Sequence, residues 1–173
     1  MKRALVVVDY QNDFVTGSLG FGRAALLRPV IVDKLEKALA CGTHVIFTMD
    51  THGEDYLETA EGRGLPVKHC IKGSWGWELD ESVLPYKDKA EKVIEKPTFG
   101  SVELGKFLAK QGYDEVELCG LVSSICVLSN AVVAKASLPE SRIVVDSKAT
   151  DDANEGNKSA ALACLRSIMV DVL

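Results

Sequence analysis

The sequence predicts an α/β fold: a three-layer, doubly wound, mostly parallel six-stranded sheet with helices on both faces. Short β-branched runs alternate with stretches of helical period along the whole chain. The first run, Leu5-Val6-Val7-Val8, is continuously apolar, as expected of a strand buried on both sides. Strands that alternate with helices are joined by right-handed crossovers, which make the sheet parallel and cover both faces.

Each element follows from local signals. Residues 5–8 form the first strand. Residues 29–40 have a helical period, with Pro29 near the start and Gly42 just past the end. Residues 44–48 and 92–95 give the second and third strands. Residues 101–110 read as a helix closed by Gly112, and 115–119 as the fourth strand, followed by Gly120. Residues 125–135 are apolar and helical, 143–145 form the fifth strand, 158–166 a helix and 168–172 the sixth strand. The connection from 49 to about 89 is the exception to this compact pattern, and connections of that length usually carry function.

Length and charge bound the function. With 173 residues the chain fits a single domain, residues 1–173. A net charge of −5, from 20 Lys and Arg against 25 Asp and Glu, offers no basic stripe for nucleic acid and no polybasic membrane anchor. The apolar run behind Met1-Lys2-Arg3 ends at Asp9, too short for a signal peptide, and nothing approaches the ~20 apolar residues of a membrane span. Five cysteines, an odd number, without a secretory signal point to reduced thiols and a cytoplasmic protein.

Ligands of open parallel sheets bind beyond the carboxyl ends of the strands. The residues there are Asp9, Asp50 and His52, Lys96, and 120–126. Cys126 lies where a strand has ended and a helix is about to begin, a position that lowers a thiol pKa and favours reaction as thiolate; the alternative is a small buried hydrophobe. Cys119, Cys164 and Cys41 read as structural. Asp9 is either a turn former or a general base, and Lys96 either a solvated loop lysine or a cation that pairs with Asp9 and stabilises a thiolate. Asp50 and His52 share one side of an extended segment, and His69 returns after a loop. Two imidazoles and a carboxylate suit Zn, Fe or Mn, with Glu61 or Glu58 able to add an oxygen; the alternative is surface polar residues that share a loop. His44 reads as structural.

The string Val7-Val8-Asp9-Tyr10-Gln11-Asn12-Asp13-Phe14, followed by Gly17-Ser18-Leu19, resembles the opening motif of the isochorismatase-like cysteine hydrolases, especially their nicotinamidase/pyrazinamidase branch. Asp50-Thr51-His52, His69-Cys70, 96–101 and 120–127 resemble that family's later motifs and keep their order. The resemblance implies a triad of Asp9, Lys96 and Cys126, an oxyanion hole from the backbone N–H groups of Val122 and Cys126, and a cis peptide between Leu121 and Val122. It implies one divalent metal, Zn first and Fe or Mn as alternatives, on Asp50, His52, His69 and Glu61. It also implies a small-molecule amide substrate, nicotinamide, opened through a thioester, and leaves room for a homo-oligomer.

Two departures bear on the substrate. The nucleophile turn of the family commonly reads Ala-Thr-Asp where this chain has Val122-Ser123-Ser124. An aromatic residue often precedes the second metal histidine, but here the stretch is Leu65-Pro66-Val67-Lys68, so the aromatic wall falls to Phe14, Trp75, Tyr56 or Trp77. The alternatives are a hydrolase of another small amide, carbamoyl compound or vinyl ether, a redox thiol protein, and a non-catalytic metal-binding module.

Overall fold

The computed structural model describes all 173 residues. Six strands form one sheet, β1 (Arg3–Val8), β2 (His44–Asp50), β3 (Lys92–Lys96), β4 (Glu115–Leu121), β5 (Arg142–Asp151) and β6 (Asp171–Val172). Their order is β3-β2-β1-β4-β5-β6, and every pairing is parallel. The order reverses between β1 and β4, which opens a crevice at their carboxyl ends.

Side chains of β1 alternate between two cores. Val6 and Val8 pack with Ile46, Leu118 and Val145 under α4 (Val102–Gln111), α5 (Leu128–Ser137) and α6 (Glu155–Ser167). Leu5 and Val7 pack with Phe47, Met49 and Leu121 against Phe14 of the short α1 (Asn12–Val15) and Ile31 and Leu35 of α2 (Arg28–Ala40). Local groups close the helix ends, Gly112 where the sequence placed it and Asn154 ahead of an α6 that starts three residues earlier than the sequence reading. Ser101 accepts the Leu104 N–H at the start of α4, Asn154 accepts the Gly156 and Asn157 N–H groups at the start of α6, and Gly112 ends α4 in the left-handed conformation.

Three details differ from the sequence reading. β5 runs ten residues, because after a register shift between Leu118 and Gly120 it rejoins β4 at Thr150. β6 is only two residues, since Ile168 ends α6 and Met169 turns the chain with φ 63°. The long connection after β2 is compact, with two 3-10 segments and a further helix, α3 (Ala60–Gly64), capped by Thr59.

Candidate active site and metal centre

Asp9, Lys96 and Cys126 lie in different stretches of the chain but converge, because each follows or ends a parallel strand. Lys96 Nζ is 2.6 Å from Asp9 Oδ2 and 3.6 Å from Cys126 Sγ. All three side chains are buried. Thr48 Oγ1 donates to Asp9 Oδ1 at 2.7 Å, which fixes the carboxylate plane. Asp9 Oδ2 receives no aligned hydrogen bond, although the Lys96 charge is close. The same carboxylate faces the Cys126 thiol.

Charge follows burial. Burial raises the Asp9 carboxyl, with Lys96 pulling against it. Burial and the neighbouring Asp9 charge push the Cys126 thiol well above its ordinary value, against the attraction of Lys96. Burial alone would lower Lys96, but Asp9, Cys126 and Asp50 outweigh it and keep the ammonium protonated. Burial and the Asp9 charge thus oppose the thiolate that the position before a helix favours. Cys126 sits inside a π turn, Ser123–Val127, that precedes α5.

That turn is tied on three sides. Ser123 Oγ and Thr150 Oγ1 share a hydrogen bond of 2.8 Å, and Ser124 Oγ donates to Asp152 Oδ2 at 2.5 Å. The buried Asn130 amide donates to the carbonyls of Cys126 and Phe99 and accepts the Ser101 N–H. The peptide between Leu121 and Val122 is cis, and the Val122 N–H has no hydrogen-bond partner.

The second cluster adjoins the first. One ligating atom each from Asp50, His52, Glu61 and His69 lies within 4.8 Å of the others. Asp50 Oδ2 is 3.0 Å from His52 Nε2 and 3.3 Å from His69 Nε2, and Glu61 Oε1 stands 3.6 and 3.7 Å from the same nitrogens. His69 Nδ1 is 2.8 Å from the Val67 carbonyl, which assigns the proton there and leaves Nε2 to face the cluster. Gln11 holds the Asp50 backbone from both sides, accepting its N–H and donating to its carbonyl. Burial would raise Asp50, but hydrogen bonds from the two histidines and the Lys96 charge outweigh it and hold the carboxyl well below the usual range. Two imidazole nitrogens and two carboxylate oxygens fit Zn, Fe or Mn. Glu58, the other carboxylate considered, is exposed and away from the cluster.

A cavity of about 210 Å³ joins the two clusters and is lined by Cys126, Asp50, Glu61 and His69. Its apolar wall comprises Phe14, Leu19, Phe21, Leu65, Phe99 and Ile125, and Ser124, Asp152 and Asn157 add a second polar patch. Phe14 is where the sequence put it. Trp75 is not: it is 63% exposed on a separate groove, because its carbonyl is taken by the Asn12 amide outside the cavity. Tyr56 lies behind the histidines, its ring 4.7 and 4.9 Å from theirs and its hydroxyl on the Leu65 carbonyl. Trp77 packs elsewhere, on Thr51. Sequence reasoning missed Thr48, Asn130, Asp152, Phe21 and Phe99. Only Asn130, one helical turn after Cys126, carried a local signal.

The isochorismatase domain profile matches residues 3–173. The chain belongs to the isochorismatase family. It is 31% identical over 185 residues to the nicotinamidase/pyrazinamidase of Mycobacterium tuberculosis, covering 99% of this chain and 98% of that one. The crystal structure of a nicotinamidase/pyrazinamidase from Bacillus subtilis superposes with a TM-score of 0.88 at 31% identity, covering 99% of both chains. A pyrazinamidase of Pyrococcus horikoshii, solved in complex with zinc, shares the fold with a TM-score of 0.84 at 24% identity, covering 100% of this chain and 99% of that one. No helix of this isochorismatase-family chain is long and apolar enough to cross a membrane.

Proposed function

We propose that this chain is a metal-containing cysteine amidase that hydrolyses nicotinamide to nicotinate and ammonia. The observation that carries the reading is the buried Asp9–Lys96–Cys126 cluster opening into one cavity with the four-residue donor set. The similarity to nicotinamidases over nearly the whole chain supports the choice of amide.

In this reading Asp9 takes the Cys126 proton as sulfur attacks the carboxamide carbon, a role that suits its place against both Lys96 and the thiol and its raised pKa. The N–H groups of Val122 and Cys126 receive the developing oxyanion, a contribution of about 3 kcal/mol per donor in comparable sites. Asp9 then gives its proton to the departing ammonia, and a thioester on Cys126 remains for water to open. Lys96 balances charge on both Asp9 and sulfur throughout. Asp50, His52, Glu61 and His69 would hold the metal, which when bound supplies an anchor for a ring nitrogen. Phe14 supplies an apolar wall for the ring.

The test is ammonia release from nicotinamide, pyrazinamide and benzamide. Benzamide has C–H in place of the ring nitrogen, and a site built around a polar contact rejects analogues lacking it by up to ~10⁴-fold. Hydrolysis of the first two and a kcat/KM lower by orders of magnitude for benzamide is the expected result. Comparable values for all three would move the substrate elsewhere among small amides.

A further inference from the structure

The acidic groups around the cavity are balanced, with one exception. Asp9 faces Lys96, and a divalent ion held by the donor set would offset Asp50 and Glu61. Asp151 is met by Arg23 at 3.2 Å and by Lys158 at 3.7 Å. Asp152 lines the cavity, is 5% exposed, and has no basic side chain within 4.0 Å of its carboxylate. Arg23 reaches only its backbone carbonyl, at 2.5 Å. The carboxylate accepts the Ser124 hydroxyl and N–H and the Asn154 N–H, all neutral donors. The Gly156 and Asn157 N–H groups that open α6 are spent on Asn154 Oδ1, so of that helix terminus only the Asn154 N–H reaches Asp152. A buried charge without a counter-charge is costly, and its field reaches far in a water-poor cavity.

We infer that Asp152 is a specificity-determining residue whose uncompensated negative charge discriminates against anionic occupants of the cavity. The inference rests on the amidase reading. There the substrate is a neutral carboxamide, whereas the acid product, with a carboxyl pKa near ~4, is an anion at neutral pH. The two differ little in size, so apolar contacts separate them poorly. A fixed carboxylate in the wall separates them by sign, admitting the amide and disfavouring retention of the acid.

The experiment compares two pyridine ligands on the metal-loaded protein by calorimetric titration: nicotinate and its neutral analogue 3-pyridinemethanol. The quantity read is the ratio of their dissociation constants. In Asp152→Asn, which keeps the shape and removes the charge, the ratio should shift by about tenfold in favour of nicotinate, with Asp152→Ser moving it the same way. A merely structural role would move both constants together. A ratio that stays within about twofold of the parent protein's in both variants, with the ligands still binding, overturns the inference. Failure of the parent protein to bind either ligand and to release ammonia from nicotinamide overturns the amidase reading and this inference with it.

Discussion

The Cys126 thiol sits between a carboxylate and an ammonium, and burial with the Asp9 charge pushes its pKa up. In the proposed reaction the thiol proton passes to Asp9 during attack. Cys126→Ala should lower ammonia release by more than ~10³-fold, while Cys41→Ala and Cys164→Ala, at exposed positions, leave it intact. Turnover retained in Cys126→Ala would exclude the covalent route. A second residue-scale prediction concerns folding. Burial would raise the Asp80 carboxyl, but hydrogen bonds from Arg28 and Ser82 hold it below the usual range, with Arg28 Nη2 at 2.8 Å. The unfolded carboxyl titrates near ~3.9, so the pair's contribution is fully present above that pH and fades as pH falls through the folded value. Asp80→Asn should therefore cost about 1–2 kcal/mol by urea denaturation at pH 7. The gap to the parent protein should shrink as the pH drops below ~4.

At the scale of elements, β4 must let β1 come close exactly where both strands deliver their chemistry. Gly120 has φ 109°, and a Cβ built there would run into the Val8 carbonyl. Gly120→Ala should destabilise by at least ~2 kcal/mol, read as a lower urea midpoint, with ammonia release falling alongside. Elements were legible where the pattern was local. β1 and β2 announce themselves as β-branched runs, β4 by Val116 and Leu118 alternating with glutamates ahead of Gly120, and α2 and α4 by Pro29 and Gly112. The second half of β5 was hidden, because Asp146, Ser147 and Lys148 interrupt the apolar pattern before Ala149 and Thr150 resume it. α3 was hidden by Gly62 and Gly64, which are poor helix formers. Within the site, Asp9, Lys96 and Cys126 could be ranked because they follow strands. The Ser124–Asp152 tie could not, since it joins residues 28 apart that only the sheet order brings together.

Across the whole molecule, the donor set joins two pieces of chain with little else in common. Asp50 and His52 belong to the end of β2, whereas Glu61 lies on α3 and His69 on the returning loop. A bound ion would lock the long connection to the sheet, and binding to the folded state alone raises stability. Removing the metal with a chelator should therefore lower the Tm as well as activity, and both should return on adding Zn back. His52→Ala and His69→Ala should each lower metal content measured by atomic absorption, with a weaker effect for Glu61→Ala. A Tm indifferent to chelator would argue against a resident ion.

The register shift in β5 divides that strand in two. Val145 and Thr150 pair with Leu118 and Gly120 of β4, so the residues between them bow away from the sheet. The excursion is held by the chain end, where Ser147 N–H donates to the Leu173 carbonyl at 3.0 Å and Leu173 N–H to Val145. Amide exchange with deuterated water should accordingly be slow at Ile143–Val145, intermediate through Asp146–Lys148, where the chain end holds Ser147, and slow again at Ala149–Thr150. Trimming Asp171–Leu173 would speed exchange in the middle stretch first, loosening the approach to the active-site end of β5 without touching a single group in the cavity.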